Sequence, residues 1–145
     1  MNRQFFTIMT RQQLKDTVFL NVAKQIGTLS RCKRLKVGAV LVRDNRIISI
    51  GYNGTPTGLD NECECNDTTK ESVVHAEMNA IMFAAKNGIG TDKCTLYVTD
   101  APCYGCTRSI IQAGIVRVVY SREYHSDGLP LLNLVKIPYT LWEKE

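Results

Sequence analysis

The chain has 145 residues, of which 44% are hydrophobic and 22% charged, and its formal net charge is +4. This composition excludes a disordered or fibrous class and predicts one compact domain over residues 1–145. The apolar runs are too short for a membrane helix, and the first residues lack the apolar core of a secretory signal. We therefore expect no membrane partner and a cytoplasmic location, or the host cytoplasm if the source is viral.

The first half of the chain reads as a helix followed by a hairpin. Thr10 begins the helix, and Gln13 can complete a capping box. We expect this helix to bury an apolar stripe at helical spacing: Leu14, Val18, Val22, Ile26 and Leu29. Strands over 36–43 and 46–52 then form an antiparallel hairpin. The glycine-rich segment 51–58 can let a ligand approach the backbone, and residues 59–72 look irregular.

The second half alternates helices with strands. The pattern predicts a helix over 73–86, a strand over 94–99, a helix from Pro102 to Gly114, a strand over 115–120, a short helix over 129–135 and a strand over 137–142. Gly88 suits the left-handed position that ends the first of these helices. Pro138 confines the last strand to the edge of a sheet. The alternation predicts a layered α/β domain with a mostly parallel second half.

Two short motifs can build one metal site: His75-Ala76-Glu77 and Pro102-Cys103-Tyr104-Gly105-Cys106. Cys103 and Cys106 are three residues apart at a helix start, so both sulfurs can point to one position. The positive end of each helix dipole favours thiolates there. One imidazole and two thiolates suit zinc (Zn2+) with a fourth position open to water, which is typical of a hydrolytic site. With no export signal, we favour metal binding over disulfides for the six cysteines.

Glu77 is the candidate proton carrier of this site. A carboxylate beside an activated water can take its proton and return it to the substrate. Residues two apart on a regular helix point to nearly opposite sides, so His75 and Glu77 can share a site only under one condition. His75 must lie in the first helical turn, with the metal beyond the helix end. The alternative is a closed structural zinc site with Glu77 on the helix surface.

In this order, the two motifs match the H-x-E…P-C-x-x-C signature of zinc deaminases that act on nucleobases. From about Leu14 to Tyr124 the chain resembles the cytidine and deoxycytidylate deaminase family, and most closely its dCMP deaminases. The other segments that carry the resemblance are Val37-Gly38-Ala39, Gly51–Gly58, Met78–Ile81, Ile110–Ile115 and Tyr124-His125. The resemblance implies a three-layer α/β/α fold with about five strands in a mixed sheet.

The resemblance also implies a reaction and its regulation. The reaction is the hydrolysis of dCMP to dUMP with release of ammonia, which supplies dUMP for thymidylate synthesis. The family further implies a homo-oligomer, with a hexamer favoured, that dCTP activates and dTTP inhibits. Mg2+ would accompany such a nucleotide triphosphate.

The family's site residues carry over by position. Its zinc ligands fall on His75, Cys103 and Cys106, and its proton carrier falls on Glu77. Two substrate contacts also carry over: Asn53, in the glycine-rich segment, and Tyr124, after the fourth main strand. Asn53 would hydrogen-bond the substrate sugar or base, with holding its own turn as the alternative.

Tyr124 would contact the nucleotide, with a half-buried structural ring as the alternative. Tyr52 and Gly54 would line the effector site. Some family members carry a second, structural zinc, for which Cys32, Cys63 and Cys65 are the candidates here. That site would need another donor, and the alternative is three free cysteines.

Two rival functions stay open at the level of sequence. Another nucleobase deaminase, of the tRNA adenosine or the dCTP/cytidine type, would have the same metal site. Gly54-Thr55-Pro56 and the modest charge favour a free nucleotide over nucleic acid, and the choice among nucleotides depends on the side chains that meet phosphate. Arg31, Lys33 and Arg34 are candidates for that contact. A non-catalytic, zinc-stabilised binding module is the second rival, and it has no need for Glu77.

Overall fold

The computed structural model describes residues 8–123 and 126–142. Its elements are α1 (Arg11–Gly27), β1 (Gly38–Arg43), β2 (Arg46–Tyr52), β3 (Glu64–Cys65), β4 (Thr68–Thr69), α2 (Ala76–Lys86), β5 (Thr95–Asp100), α3 (Tyr104–Gln112), β6 (Arg117–Arg122), α4 (Leu129–Leu134) and β7 (Tyr139–Leu141). Each predicted helix and strand is present, with ends displaced by at most a few residues. Within the described ranges, no helix is long and apolar enough to cross a membrane.

Five strands form one mixed sheet in the order β2-β1-β5-β6-β7. Strand β1 pairs antiparallel with both β2 and β5, whereas β5–β6 and β6–β7 are parallel. The predicted hairpin and the parallel second half are both confirmed. Strand β7 lies at the sheet edge, as expected for a strand preceded by Pro138.

Helices cover both faces of the sheet. On one face, Leu20 and Ala23 of α1 pack against Val40, Tyr97 and Val119. On the other face, α2, α3 and α4 bury a larger cluster that includes Ala80, Ile110, Leu132, Leu41, Leu96 and Val118. The predicted three-layer α/β/α fold is therefore confirmed. The loops that leave β5 and enter α2 meet on this second face, where they position the candidate site.

The face that α1 buries differs from the predicted stripe. Leu14, Val18 and Leu29 are exposed by 42%, 49% and 56%. Val22 and Ile26 of that stripe are partly buried against the sheet. The fully buried residues of the helix are Asp16, Leu20, Ala23 and Gly27. The cause is a close approach of helix and sheet, since a Cβ on Gly38 of β1 would collide with the backbone carbonyl of Ala23. The small residues Ala23 and Gly27 therefore lie where α1 comes closest to β1.

The buried face of α1 also contains an ion pair between Asp16 and Arg117. Asp16 accepts two hydrogen bonds from the Arg117 guanidinium, at 2.7 and 2.8 Å, and one from the Tyr97 hydroxyl at 2.8 Å. Burial by itself would raise the pKa of Asp16, but the hydrogen bonds from Arg117, Tyr97 and Gln12 outweigh it and lower the pKa. The pair ties α1 to β6 across the sheet.

Residues 59–72 are mostly irregular, as expected, but they contain a short hairpin of β3 and β4. Its turn is formed by Asn66 and Asp67, both with positive φ, at 51° and 61°. Cys63, just before β3, forms a disulfide with Cys32. The expectation of metal binding in place of disulfides is therefore wrong for this pair, because the fold brings the two segments to a Cα–Cα distance of 5.2 Å.

Candidate active site

The loops before α2 and α3 bring the two sequence motifs together. His75 is the N-cap of α2, with φ −68° and ψ 156°, and Cys103 is the N-cap of α3. Cys106 lies one turn on, and its backbone N–H points to the Cys103 sulfur at 3.5 Å. Pro102 precedes the N-cap and does not enter the first turn. His75 thus lies at the N-cap, one residue before the first helical turn in which we expected it.

The three potential ligand atoms form a compact cluster. His75 Nδ1 lies 3.5 Å from Cys103 Sγ and 3.3 Å from Cys106 Sγ. Zinc bond lengths of about 2.3 Å to sulfur and 2.05 Å to nitrogen give edges of about 3.6 Å in a tetrahedral site. The cluster could therefore hold a zinc ion with three protein ligands. Three ligands leave the open position that a hydrolytic site needs.

The electrostatics of the two cysteines also suit a cation. Hydrogen bonds from Cys106 and His75 lower the pKa of Cys103 to about 4, which favours the thiolate form of this sulfur. The neighbouring Cys103 sulfur, together with burial, raises the pKa of Cys106. Two adjacent sulfurs thus compete for one negative charge. A divalent cation bound to both favours both as thiolates, so the donor set fits the metal.

Glu77 occupies the same cavity as His75. It is the second residue of α2, and only 4% of its surface is exposed. Burial raises the pKa of its carboxyl group to about 6. A carboxyl group with such a pKa can both accept and donate a proton near neutral pH. Glu77 therefore has the position and the acidity of a proton carrier.

The cavity beside these residues has a volume of about 180 Å³. One wall is apolar and is formed by Leu35, Val37 and Val73. The residues that line its remaining surface include His75, Glu77, Cys103, Asn53, Thr69 and Asp100. An apolar wall with a few polar groups is typical of small-molecule sites.

Asn53 lines the cavity, but most of its side-chain capacity is used by the protein. Its Oδ1 accepts from the Val37 backbone N–H at 2.9 Å, and its Nδ2 donates to the Leu35 carbonyl at 2.7 Å. These contacts hold the backbone of residues 35 and 37, and not the turn of Asn53 itself that the alternative role named. One amide N–H remains, because the group carries two donors. Substrate contact by Asn53 stays a prediction.

Sequence reasoning missed an ion pair in the wall of this cavity. Asp100, at the end of β5, is bonded to Arg122 at the end of β6, with Nε to Oδ1 at 2.5 Å and Nη2 to Oδ2 at 3.1 Å. Asp100 is 7% exposed and lies two residues before Pro102. The parallel pairing of β5 and β6 could have suggested it, because the register places Asp100 opposite Arg122.

The basic cluster predicted after α1 divides between two places. The backbone N–H groups of Lys33 and Arg34 both donate to Glu64 Oε1, at 2.7 and 3.0 Å. The Arg34 guanidinium donates to the Thr69 hydroxyl at 3.1 Å. Thr69 lines the 180 Å³ cavity that contains Glu77, which we call the catalytic-type cavity. Arg34 is therefore hydrogen-bonded to a residue of the cavity lining. Arg31 instead lines a second cavity.

The second cavity, of about 650 Å³, follows the glycine-rich segment. Tyr52 and Gly54, the candidate effector residues, both line it, together with Arg31 and Lys86. These two cations would favour an anionic ligand. Tyr124, the other candidate nucleotide contact, lies outside the described residues.

Of the three cysteines proposed for a second metal, the structure brings together only two. Cys65 is an exposed free thiol beside the hairpin turn, while Cys32 and Cys63 form the disulfide. Glu64, and not Cys65, lies near that pair. Within residues 8–123 and 126–142, neither cluster of potential metal ligands is the all-oxygen set that Mg2+ prefers. The expectation of Mg2+ gains no support.

Comparison with known proteins agrees with this geometry. The family of the zinc-binding region of cytidine and deoxycytidylate deaminases matches residues 13–122. The chain belongs to the cytidine and deoxycytidylate deaminase family. The match contains both motifs and every described residue of the catalytic-type cavity. The His75, Cys103 and Cys106 cluster lies within this matched zinc-binding region.

Relatives within the family include both curated proteins and a solved structure. ComE operon protein 2 of Bacillus subtilis is 44% identical over 73% of this chain, and deoxycytidylate deaminase of Saccharomyces cerevisiae is 38% identical over 77%. The chain spans only 58% and 39% of the length of these two relatives. A crystal structure of dCMP deaminase from the cyanophage S-TIM5, in complex with dCMP and dUMP, superposes with a TM-score of 0.84 at 34% identity. The superposition covers 94% of this chain and 100% of that one.

Proposed function

We propose that the chain is a zinc-dependent hydrolase that converts dCMP to dUMP and ammonia. One observation carries the proposal: His75, Cys103 and Cys106 converge beside a cavity that also contains buried Glu77. The resemblance to the cyanophage enzyme, whose structure holds dCMP and dUMP, supports this choice of substrate. The proposal assigns zinc binding to His75, Cys103 and Cys106.

Zinc held by these three side chains would supply Lewis-acid activation of a water molecule. Glu77 accepts a proton from the attacking water as its oxygen bonds to the ring carbon that bears the amino group. The same carboxyl group then donates a proton to the adjacent ring nitrogen. Glu77 then takes the second proton from the new hydroxyl group on that carbon and passes it to the amino group, the C–N bond breaks, and ammonia leaves as the carbonyl of dUMP forms. A pKa near 6 allows Glu77 to serve in both directions near neutral pH.

The proposed substrate contacts lie around the cavity. Asn53 directs its remaining amide N–H to the sugar or base, while its other contacts hold Leu35 and Val37 in the apolar wall. Arg34, which is hydrogen-bonded to Thr69 of the cavity lining, pairs with the 5′-phosphate, since a guanidinium binds phosphate through two parallel hydrogen bonds. Tyr124 completes the nucleotide contacts.

The proposal also includes regulation and assembly. Activating dCTP and inhibitory dTTP would bind in the 650 Å³ cavity, beside Tyr52 and Gly54 and near the cations Arg31 and Lys86. The same region exposes Met82 and Phe83, by 51% and 52%, which supports contact with a second copy of the chain. We propose a homo-oligomer, with a hexamer favoured, that works in the cytoplasm and supplies dUMP for thymidylate synthesis.

The test is ultraviolet absorbance of the zinc-loaded protein with dCMP, dCTP, cytidine and an RNA hairpin as parallel substrates. Rapid loss of the cytosine band with dCMP alone is the expected result. Turnover of the RNA in place of dCMP would assign the chain to the tRNA-editing type. Silence on every substrate, with and without added dCTP, would favour the binding module. Sedimentation with and without dCTP measures the oligomer.

A further inference from the structure

The Cys32–Cys63 disulfide joins two segments that lie beside the catalytic-type cavity. Cys32 follows α1, and Cys63 begins the segment that forms the β3–β4 hairpin. Both side chains are buried, at 2% and 1% exposure, and they form with Val73 a small cluster separate from the two main cores. A hairpin with strands of two residues is not stable by itself. Its position therefore depends on this small cluster and on a few polar contacts.

The hairpin forms part of the cavity wall. Thr69 of β4 and Val73, shortly after it, both line the cavity that contains Glu77. Reciprocal backbone hydrogen bonds between Gly54 and Val74 hold the chain just after Val73. Besides the disulfide, two sets of contacts hold the hairpin to the segment after α1. Glu64 accepts from the backbone of residues 33 and 34, and the Arg34 guanidinium donates to Thr69. Both are exposed, and exposed polar contacts contribute little to stability. The disulfide is thus the strongest attachment of this wall to the segment after α1.

A small thiol would approach the disulfide from the side of the second cavity once the hairpin opens locally. Cys63 lines the 650 Å³ cavity, although little of its surface is accessible. Arg31 and Lys33 flank Cys32 in the sequence, and neighbouring cations stabilise a departing thiolate. After reduction, the Cys32 thiol would find an acceptor in the Asn53 carbonyl oxygen, which lies 3.8 Å from its sulfur. The reduced pair is therefore not left without a polar partner.

We propose that Cys32 and Cys63 are a reversible thiol–disulfide pair that controls the order of the β3–β4 hairpin and thereby the affinity of the cavity for its ligand. The thiolate of a small thiol such as glutathione attacks Cys63 Sγ, the protein S–S bond breaks, and Cys32 leaves as a thiolate that takes up a proton. A second thiol attacks the mixed disulfide and releases Cys63. Two small thiols become one disulfide, and two electrons and two protons pass to the protein pair.

The consequence for catalysis rests on the proposed function, whereas the consequence for the hairpin does not. Reduction loosens Thr69 and Val73 but leaves Glu77 and the His75 cluster in place. The KM for dCMP therefore rises, by roughly fivefold, while kcat is unchanged. Amide hydrogen exchange in residues 63–70 speeds up by about tenfold, because local opening becomes easier.

The experiment uses the full, zinc-loaded chain in glutathione buffers of graded redox ratio. Alkylation with mass spectrometry measures the thiol content of Cys32 and Cys63, exchange measures the hairpin, and absorbance measures kcat and KM. Zinc content is measured at each ratio, so that loss of the metal is not read as an effect of the hairpin. The double variant C32S/C63S should behave as the reduced protein at every ratio. The matched control C65S, which removes the exposed thiol of the same hairpin, should behave as the wild type.

The outcomes separate the two proposals. Exchange that follows the redox ratio in a protein inactive on dCMP would overturn the proposed function and retain the switch. Unchanged exchange and KM across the ratios, in an active enzyme with Cys32 and Cys63 fully converted, would overturn the switch. Thiols at both positions in the air-purified protein, with more than one zinc ion per chain, would also overturn it in favour of a second metal site. The wild-type titration decides the matter even if the double variant fails to fold.

Discussion

Glu77 and His75 lie two residues apart in the chain and still face one cavity, because His75 caps the helix that contains Glu77. In a regular helix their side chains would point to nearly opposite sides. Because the backbone of His75 is extended, at ψ 156°, its ring does not follow the side-chain directions of the helix. A short motif can thus supply both a potential metal ligand and a buried carboxyl group to the same small volume.

The Glu77→Gln substitution tests the proton carrier. Glutamine keeps the size of the side chain but cannot accept and return a proton, so kcat for dCMP should fall by about 10²- to 10⁴-fold. Zinc content, measured by mass spectrometry, should be unchanged because the ligand cluster does not include residue 77. The Glu62→Gln variant, at an exposed site outside the cavity, is the control and should keep full activity. A fully active E77Q enzyme would remove the carboxyl group from the mechanism.

The two ligand motifs were predictable because their chemistry is local. A proline, two cysteines three residues apart and a histidine before an apolar helix specify helix starts and donor types without tertiary information. The buried face of α1 was not predictable in the same way. It depends on Gly38 lying against Ala23 and on Asp16 pairing with a residue 101 positions away. Periodicity identifies the helix but not the neighbour that selects its face.

The cysteines also show that contacts between segments far apart in the chain could not be predicted from sequence patterns. The sequence argument against disulfides depended on the C-x-x-C pair and on the expected compartment, and Cys103 and Cys106 are free cysteines beside His75. Cys32 and Cys63 are brought together by the segment 59–72, whose irregular path follows no periodic pattern. The Asp100–Arg122 pair was also missed, because strand register becomes visible only once β5 and β6 are aligned.

The Arg34→Ala substitution tests the proposed phosphate contact. Loss of one charge-assisted contact of about 1.5 to 3 kcal/mol should lower kcat/KM for dCMP by roughly 10- to 100-fold. Activity on deoxycytidine, which lacks the phosphate, should change much less. Lys33→Ala is a matched control, since both residues bind Glu64 through the backbone but only the Arg34 side chain reaches Thr69. An equal loss on both substrates would show that Arg34 only supports the hairpin.

The Asp16–Arg117 pair predicts how stability depends on pH. The folded pKa of Asp16 lies below its ordinary value of 3.8, so the pair contributes stability above that value. This contribution is lost as the pH falls through the lower, folded pKa. Asp16→Asn should therefore reduce the free energy of unfolding by about 2 kcal/mol at pH 7, and the difference from the wild type should shrink at strongly acidic pH.

Urea unfolding of both proteins across the pH range measures this difference. Asp60→Asn is the control, because Asp60 is 74% exposed and only 3.7 Å from Lys70. Its effect should stay within about 0.5 kcal/mol, as for other surface pairs. A D16N protein as stable as the wild type at pH 7 would mean that the buried pair specifies the position of α1 without stabilising it.

The Asn53→Ala substitution separates the two roles considered for that side chain. It leaves the buried Val37 N–H and the Leu35 carbonyl without their partner, so the free energy of unfolding should fall by about 2 kcal/mol. Asn79→Ala is the matched control, because Asn79 makes a single, more exposed side-chain bond to the Tyr52 carbonyl. Its cost should be smaller, at about 1 kcal/mol or less. If N53A also lowers kcat/KM for dCMP at a temperature where it is fully folded, the remaining amide N–H contacts the substrate. A stable N53A protein would contradict the role in holding the wall, whatever its activity.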